Sequence, residues 1–516
     1  MAITFNNIPD TIRVPGAYLE IDNSRALKGL VQNPHKVLII GQKVAEGTAA
    51  YDTLMNISRD GLADGFFGAG SIAARMCNKF KENNPNTELF AMALGSGILG
   101  NAAEAKMDFS GMMVGPAASK DYTYEFMIDG VNITVPIISN QSGASICTTV
   151  VSLINANSHL PVVAAQNGTS AGRVDISAVC SGTVGNYISI MEDYYGIGIP
   201  SLFSQSAAVA GFLKGSGALG AKSFFESFTG GAVDPDLGDA WGVIAGEQFH
   251  YIIQPYIQTA NLQEIEVELA DRFLPQQDLQ GHGFTAARES YAGLASTGNA
   301  RATAPHNTII GVENSPHTAE LWAAAWGGQA AWNLNNDPAR PLHYLKLKGI
   351  LPPPIPDRFE MAERNALLYD GIATWIVDGG GNVLIERSIT TYQQNALGMP
   401  DPSYLDIQTL ATLGEIRYQY KTRMINRFII PRFKLADDDF PVQPGSKVAR
   451  AKDVRQETIA LFTLLRDKGL IENLDDFIEN LVVQRNATDR NRVDILLPPD
   501  LINQFRILAG NIQFIL

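Results

Sequence analysis

Between residues 204 and 334 the chain alternates short apolar runs with amphipathic stretches, and this rhythm limits the fold more than any other feature. DLGDAWGVIAG reads as a helix, FHYIIQPYI as a strand, NLQEIEVELADRF as a helix, NTIIGV as a strand and HTAELWAAAWGGQAAWNL as a helix. Short runs without a polar face fit strands buried on both sides, as in a parallel sheet covered by helices. The rhythm also appears earlier. HKVLIIGQ is a strand ending in glycine, GSIAARMCNKFKENNP places Ile72, Met76 and Phe80 at helical spacing before a proline, and TELFAMALG is a second strand. The expected class is multidomain α/β with a doubly wound core.

That rhythm is interrupted from about Gly115. YTYEFMIDGVNITVPI gives two strands around Asp129 and Gly130, an Asp-Gly pair being a strong hairpin signal. A helix through ASICTTVVSLINAN and strands in LPVVAAQ and RVDISAVCSGTVGNYISI complete a small β/α domain at 115–195, inserted after a first core segment at 25–114. An α/β domain is expected at 196–356, closed by GILPPPIP, whose four prolines make a stiff crossing. A C-terminal domain at 357–500 then holds a hairpin around Gly379 to Gly381, a long helix from about Tyr404 to Phe428 and two amphipathic helices, VRQETIALFTLLRDKG and LDDFIENLVVQ. No internal repeat is visible.

Composition narrows the function. Only 18% of residues are charged, against about 25% in an average soluble protein. Much of the surface is therefore uncharged, as expected of a subunit packed among other subunits. A net charge of −14 argues against wrapping nucleic acid. Cys77, Cys147 and Cys180 form no CxxC or Cys/His spacing and are expected as buried, reduced residues. The start lacks a basic n-region and an apolar h-region, and no run approaches the ~18 apolar residues of a membrane span. Neither export by the usual route nor membrane insertion is expected.

Motifs for chemistry are sparse. GAGSIAA at 68–74 matches GxGxxA, yet a dinucleotide site needs those glycines directly after the first strand, and the strand's Gly41 lies far upstream. No Walker-type phosphate loop occurs. The seven histidines form no HxH or HExxH pair, and His282 in GHGF has no nucleophile read beside it. Asp437 to Asp439 lack the glycine and distal glutamate of a calcium loop. No cofactor, metal or catalytic residue is assigned.

Two features remain. RYQYKTRMINRFIIPRFK carries Arg417, Lys421, Arg423, Arg427, Arg432 and Lys434 without an acid; it is either a docking face for an acidic neighbour or a helix neutralised within its own fold. The two ends also read as extended arms. IPDTIRVPGAYLEIDNS, within an arm at 1–24, contains Ile12, Arg13 and Val14, and FRILAGNIQFIL alternates Phe505, Ile507 and Ala509, then Ile512, Phe514 and Leu516. A terminal strand either completes its own sheet or pairs with an exposed edge on another subunit.

The runs IPDTIRVPGAYLEIDNSRA, VLIIGQ, FGAGSIAARM, DPARPL, ERNALLYDGIATW and IERSITTYQQNALGMPDPSYLD, in this order, resemble the contractile tail sheath protein of Mu-like bacteriophages. FMIDGVNITV, INANSHLPVVAA and GTVGNYI resemble the small domain of the same subunits. The resemblance implies a virion tail protein, assembled in the host cytoplasm as rings of six around an inner tail tube, with baseplate and tail terminator proteins as further partners. It implies that terminal strands link neighbouring subunits, here Ile12, Arg13 and Val14 with Phe505, Ile507, Leu508, Ile512, Phe514 and Leu516. Arg417, Lys421, Arg423 and Arg427 would dock the tube or a neighbour. Two other classes stay open: an α/β oxidoreductase or hydrolase using residues 204–334, and a different structural protein of a phage particle.

Overall fold

Strand β1 (Lys36–Gly41) buries Val37, Leu38, Ile39 and Ile40 completely, which requires a place inside a sheet covered on both faces. The computed structural model describes residues 14–16, 29–95, 100–109, 112–114, 122–138, 141–192, 194, 203–205, 225–443 and 445–515. β1 pairs in parallel with β2 (Glu88–Ala93) on one side and with β3 (Tyr251–Ile253) on the other. Beyond β3 follow β4 (His282–Arg288), β5 (Asn307–Val312) and β6 (Ile372–Val377), all parallel. β7 (Val383–Arg387) and the two-residue strand Met55–Asn56 close the two edges antiparallel, giving eight strands.

The crossover helices follow the apolar periodicity. α1 (Ile72–Asn83) joins β1 to β2, α2 (Thr259–Phe273) joins β3 to β4, and α3 (Tyr291–Asn299) joins β4 to β5. α4 (Ala319–Asn336) packs against α1 and the centre of the sheet and is buried on every side through Ala331, so it is apolar nearly all round. Its Trp322 and Trp326 are wholly buried, and each indole N–H is satisfied by a hydroxyl, Ser315 Oγ at 2.8 Å and Ser388 Oγ at 3.0 Å. A fifth helix, α5 (Met361–Tyr369), precedes β6.

Residues 102–192 build a separate core from two three-stranded sheets and the helix Gly143–Ala156. The strand Arg173–Ser181 alternates half-buried and buried positions along its whole length, the period-two signature of a sheet with one covered face. The hairpin of Tyr122–Ile128 and Val131–Ile137 turns at Asp129 and Gly130, both with positive φ. A Cβ at Gly130 would stand 2.0 Å from His317 Cε1, so only glycine fits there. Beside it the Asp129 carboxylate meets the Arg75 guanidinium and accepts the Thr318 N–H at 2.7 Å, at the start of α4. Arg75 also binds Glu320 at 2.8 Å.

Contacts divide the chain into two units. The larger spans Pro34–Gly414 and takes back the chain from Asn503; the smaller is Glu415–Ile502 together with residues 29–33. In the smaller unit α7 (Ala451–Asp467) buries Val454, Leu461, Phe462 and Leu465, and Phe462 stacks on Phe477 at 4.0 Å.

Several expectations are corrected. The sheet crosses the expected boundary at 356, because the hairpin β6–β7 pairs with β5 rather than standing in a C-terminal domain. The long helix runs as α6 (Ile407–Met424) and ends in a π-helical turn, Ile425–Ile429. LDDFIENLVVQ splits into the helix Leu474–Asn480 and β8 (Val482–Arg485), which pairs with β9 (Val493–Leu496). After the short strand Asp500–Leu501, Ile502 N–H still donates to Leu470 O at 3.2 Å, and residues 504–515 form no strand.

Candidate functional site

The motifs that mimic catalytic sites are structural. Gly70, with φ of 80°, turns the chain so that Ser71 caps α1 through Ala74 N–H, and a Cβ there would lie 2.5 Å from Leu160 O. GTSAG at 168–172 has the GxSxG spacing and is absent from the motifs read above. It forms the turn between strands Val162–Gln166 and Arg173–Ser181, not the strand-to-helix elbow that exposes a nucleophile. Asp437 is held by Arg485 at 2.8 Å and by Arg490 at 2.6 Å, so it serves as an anchor for β8 and the chain leading to β9. Cys77, Cys147 and Cys180 are free and buried, and burial pushes the Cys147 thiol up to about 12 and that of Cys180 to about 11. Among the described residues no group of three or more His, Cys, Asp or Glu is placed to hold a metal ion, and no helix is long and apolar enough to cross a membrane.

The C-terminal arm is different in kind. Phe505, Ile507, Leu508, Ile512, Phe514 and Ile515 are between 75% and 98% exposed, the densest run of bare apolar side chains among the described residues. Scattered exposed hydrophobics are ordinary, whereas a contiguous set marks a surface awaiting a partner. Arg506 ties the arm down: it binds Asp406 at 2.7 Å, and Asp406 is shared with Arg387 at 3.2 Å. The role of Asp406 as the arm's anchor has no local sequence signal, since the partners are 100 residues apart.

Residues 31–33, which follow the N-terminal arm, are held on α6. Gln419 accepts from Val31 N–H at 3.1 Å and donates to Val31 O at 2.6 Å, Tyr418 donates to Gln32 O and Asn33 donates to Glu415. Of the assigned linking residues at this end Val14 is 68% exposed; Ile12 and Arg13 lie outside the described residues, as does Leu516 at the other end.

β8 and β9 form an isolated two-stranded ladder in register Val482↔Leu496 to Arg485↔Val493, with Val482 and Leu496 exposed. Two strands alone are marginal, and both outer edges of this pair carry no further strand among the described residues. The basic run is divided. Arg417 and Lys421 lie one turn apart, and Arg423 and Arg427 follow six residues later, about 240° round an α-helix. Glu457 binds the Arg423 guanidinium and lies 3.6 Å from Arg427, whose side chain stays 61% exposed.

The matches to known proteins agree with this surface-rich, site-poor molecule. Residues 230–391 match the family model of the phage tail sheath protein central domain, and residues 399–515 that of the phage tail sheath C-terminal domain. The Mu-like prophage FluMu tail sheath protein of Haemophilus influenzae is 34% identical over 517 aligned positions, covering 100% of both chains. The chain belongs to the phage tail sheath family. This sheath protein is a structural subunit of a contractile tail, in a structural family and not an enzyme family, so the oxidoreductase and hydrolase alternatives fall. Among solved structures it is similar to the sheath tail protein of Desulfitobacterium hafniense, at 14% identity, 95% and 97% coverage and a TM-score of 0.48. It is also similar to the anti-feeding prophage helical sheath in its contracted state, at 9% identity, 97% and 99% coverage and a TM-score of 0.45.

Proposed function

We propose that the sheath protein assembles as rings of six around an inner tail tube, and that its terminal arms keep neighbouring copies joined while the rings move. The exposed apolar arm at residues 503–515 carries this reading. A peptide that leaves its own sheet and presents alternating apolar side chains is equipped to add as a strand to another copy. The ladder β8–β9 is the acceptor, because a third strand on its edge would cover Val482 or Leu496 and pair backbone groups now open. Ile12, Arg13 and Val14 take the equivalent place at the other end. Ten extended residues reach roughly 33 Å, so such a link tolerates large shifts between the bodies it joins.

In this reading the eight-stranded sheet is the doubly wound sheath core, residues 115–195 are an inserted small domain at the periphery, and Arg417, Lys421, Arg423 and Arg427 dock the tube or a neighbour. The chain is then an arm at 1–24, a first core segment at 25–114, the small domain at 115–195, an α/β domain at 196–356, a C-terminal domain at 357–500 and a linking strand at 501–516, with the division at 356 marking a crossing of the chain rather than an end of the sheet. Baseplate and terminator proteins close the two ends of the stack, which is built in the host cytoplasm and retained in the virion tail. Each subunit exchanges one set of neighbour contacts for a better one, so contraction needs no nucleotide.

The test compares the full-length protein with a chain ending at Asn503 by negative-stain electron microscopy and thermal melting. Striated hollow tubes from the first, and equally stable but unassembled particles from the second, support the arm as a link. Tubes from both would overturn it.

A further inference from the structure

Four of the seven histidines lie at one edge of the sheet. His35 precedes β1, His250 precedes β3, His282 opens β4 and His306 precedes β5, and since these four strands are adjacent and parallel their N-terminal ends line up. The rings of His35 and His250 stack at 4.1 Å, and His250 Nδ1 accepts the Lys36 N–H at 3.2 Å. Thr308 donates its hydroxyl proton to Ile389 O, so at their 2.8 Å contact His282 Nε2 is the donor and Thr308 the acceptor. That fixes the neutral tautomer with a bare lone pair on His282 Nδ1, which is buried and without a hydrogen-bond partner, as is His35 Nδ1. His306 lies against Phe273, 4.9 Å between ring centres.

The first turns of α6 close this edge. Ile407, Leu410 and Ala411 line a cavity of about 40 Å³ together with the four histidines and Gln280. Residues 407–414, IQTLATLG, carry no titratable group; the next residue is Glu415, which is occupied by Asn33 and Gln419. Around the imidazoles the charged groups are Lys36 on β1, Glu247 before β3 and Arg272 near the end of α2. Lys36 and Glu247 pair at 3.5 Å, and Arg272 binds Glu268 and the carbonyls of Ile244 and Glu247. No carboxylate lines the cavity. Protonated imidazoles here would face apolar side chains and one another.

We propose that the histidine cluster is an acid-sensitive latch on α6, whose first turns leave the end of the sheet when the imidazoles take up protons while the sheet stays folded. Burial holds His35 down to about 4 and His282 to about 3, and puts His250 well below its usual value, with His35 and Lys36 adding to the effect. The sign follows from linkage. A histidine of depressed pKa leaves the closed form fully stable above about pH 6.5, and the opened form gains protons over it as pH falls toward 4. The latch therefore weakens through that window and tightens on return to neutral.

Hydrogen exchange of the full-length protein tests this, with rates corrected for intrinsic pH dependence. From about pH 7.5 to about pH 4.5 the amides of 407–414 should lose at least tenfold in protection while Val37 to Ile40 keep theirs. His35→Gln with His282→Gln removes two proton acceptors and preserves a donor to Thr308; this variant should remain closed at the acid end. Should the variant fail to fold, calorimetry of the wild-type acid transition in buffers of differing ionisation enthalpy should register uptake of more than one proton. Joint loss of protection in α6 and β1, opening of the variant at the wild-type pH, or uptake below one proton would each overturn the latch.

Discussion

Replacing Arg75 by methionine removes the cation from the buried cluster where the 122–137 hairpin meets the sheet's helices. Arg75, Asp129 and Glu320 are only 7%, 4% and 2% exposed, and one guanidinium serves both carboxylates and the Thr318 hydroxyl at 3.0 Å. Without it two carboxylates share a dry site, with Glu320 Oε2 already lacking a partner. Breaking a buried ion pair from one side costs about 3–5 kcal/mol, a large part of the ~5–15 kcal/mol that holds a folded protein together. Burial keeps the Glu320 pKa above the ordinary carboxylate range even with Arg75 against it. In Arg75→Met the rise is greater, so the variant's deficit should be smallest near pH 4.5 and grow toward neutral, because the unfolded chain ionises first. Urea titrations at several pH values read this directly. Adding Asp129→Asn and Glu320→Gln should recover part of the loss. A deficit under ~1 kcal/mol, or one that does not change with pH, would refute the account.

Three further expectations concern separate regions. Ile507→Asp with Ile512→Asp should leave the monomer's melting temperature unchanged, since both side chains are exposed, while weakening assembly by about 3–6 kcal/mol, roughly a hundredfold to ten-thousandfold by sedimentation. Ser388→Ala strips the acceptor from the buried Trp326 indole and should cost about 1–3 kcal/mol in urea unfolding. Arg423→Glu with Arg427→Glu places like charges against Glu457; if these arginines dock a neighbour or the tube, sheath formation fails in electron micrographs although the monomer stays folded, and normal assembly and contraction would sink the docking role.

The elements of the sheet were legible wherever one strand was apolar throughout. VLII and NTIIGV permit little else, and the Asp129-Gly130 turn was equally explicit. β4 escaped because HGFTAAR reads as small and polar; its burial is imposed by β3 and β5 on either side. The continuation of the sheet past 356 was not legible, because prolines mark a stiff crossing equally well within a domain and between two. GILPPPIP connects the region after α4 to α5, and the sheet resumes beyond it. The anchor of the arm on Asp406 and the gathering of four histidines were invisible for a common reason. Each depends on parallel strands or distant loops that bring together residues far apart in the chain.

The arm's incompleteness is an energetic statement about the subunit. Six large apolar side chains left in water forgo about 1.5–3 kcal/mol each, while the extended backbone forgoes its ladder. The described part of the single chain does not recover this, because Arg506 fixes the arm's root on Asp406 and residues 507–515 form no strand. The β8–β9 ladder has edges that carry no further strand among the described residues, and exposed Val482 and Leu496. If the arm and the ladder are donor and acceptor as proposed, a monomer carrying both is most stable as one member of a chain of copies. Such a head-to-tail link is heterologous, and it propagates through rings or helices instead of closing a dimer. The geometry of each link can then change while its pairing persists, which is the property a sheath needs when its rings shift.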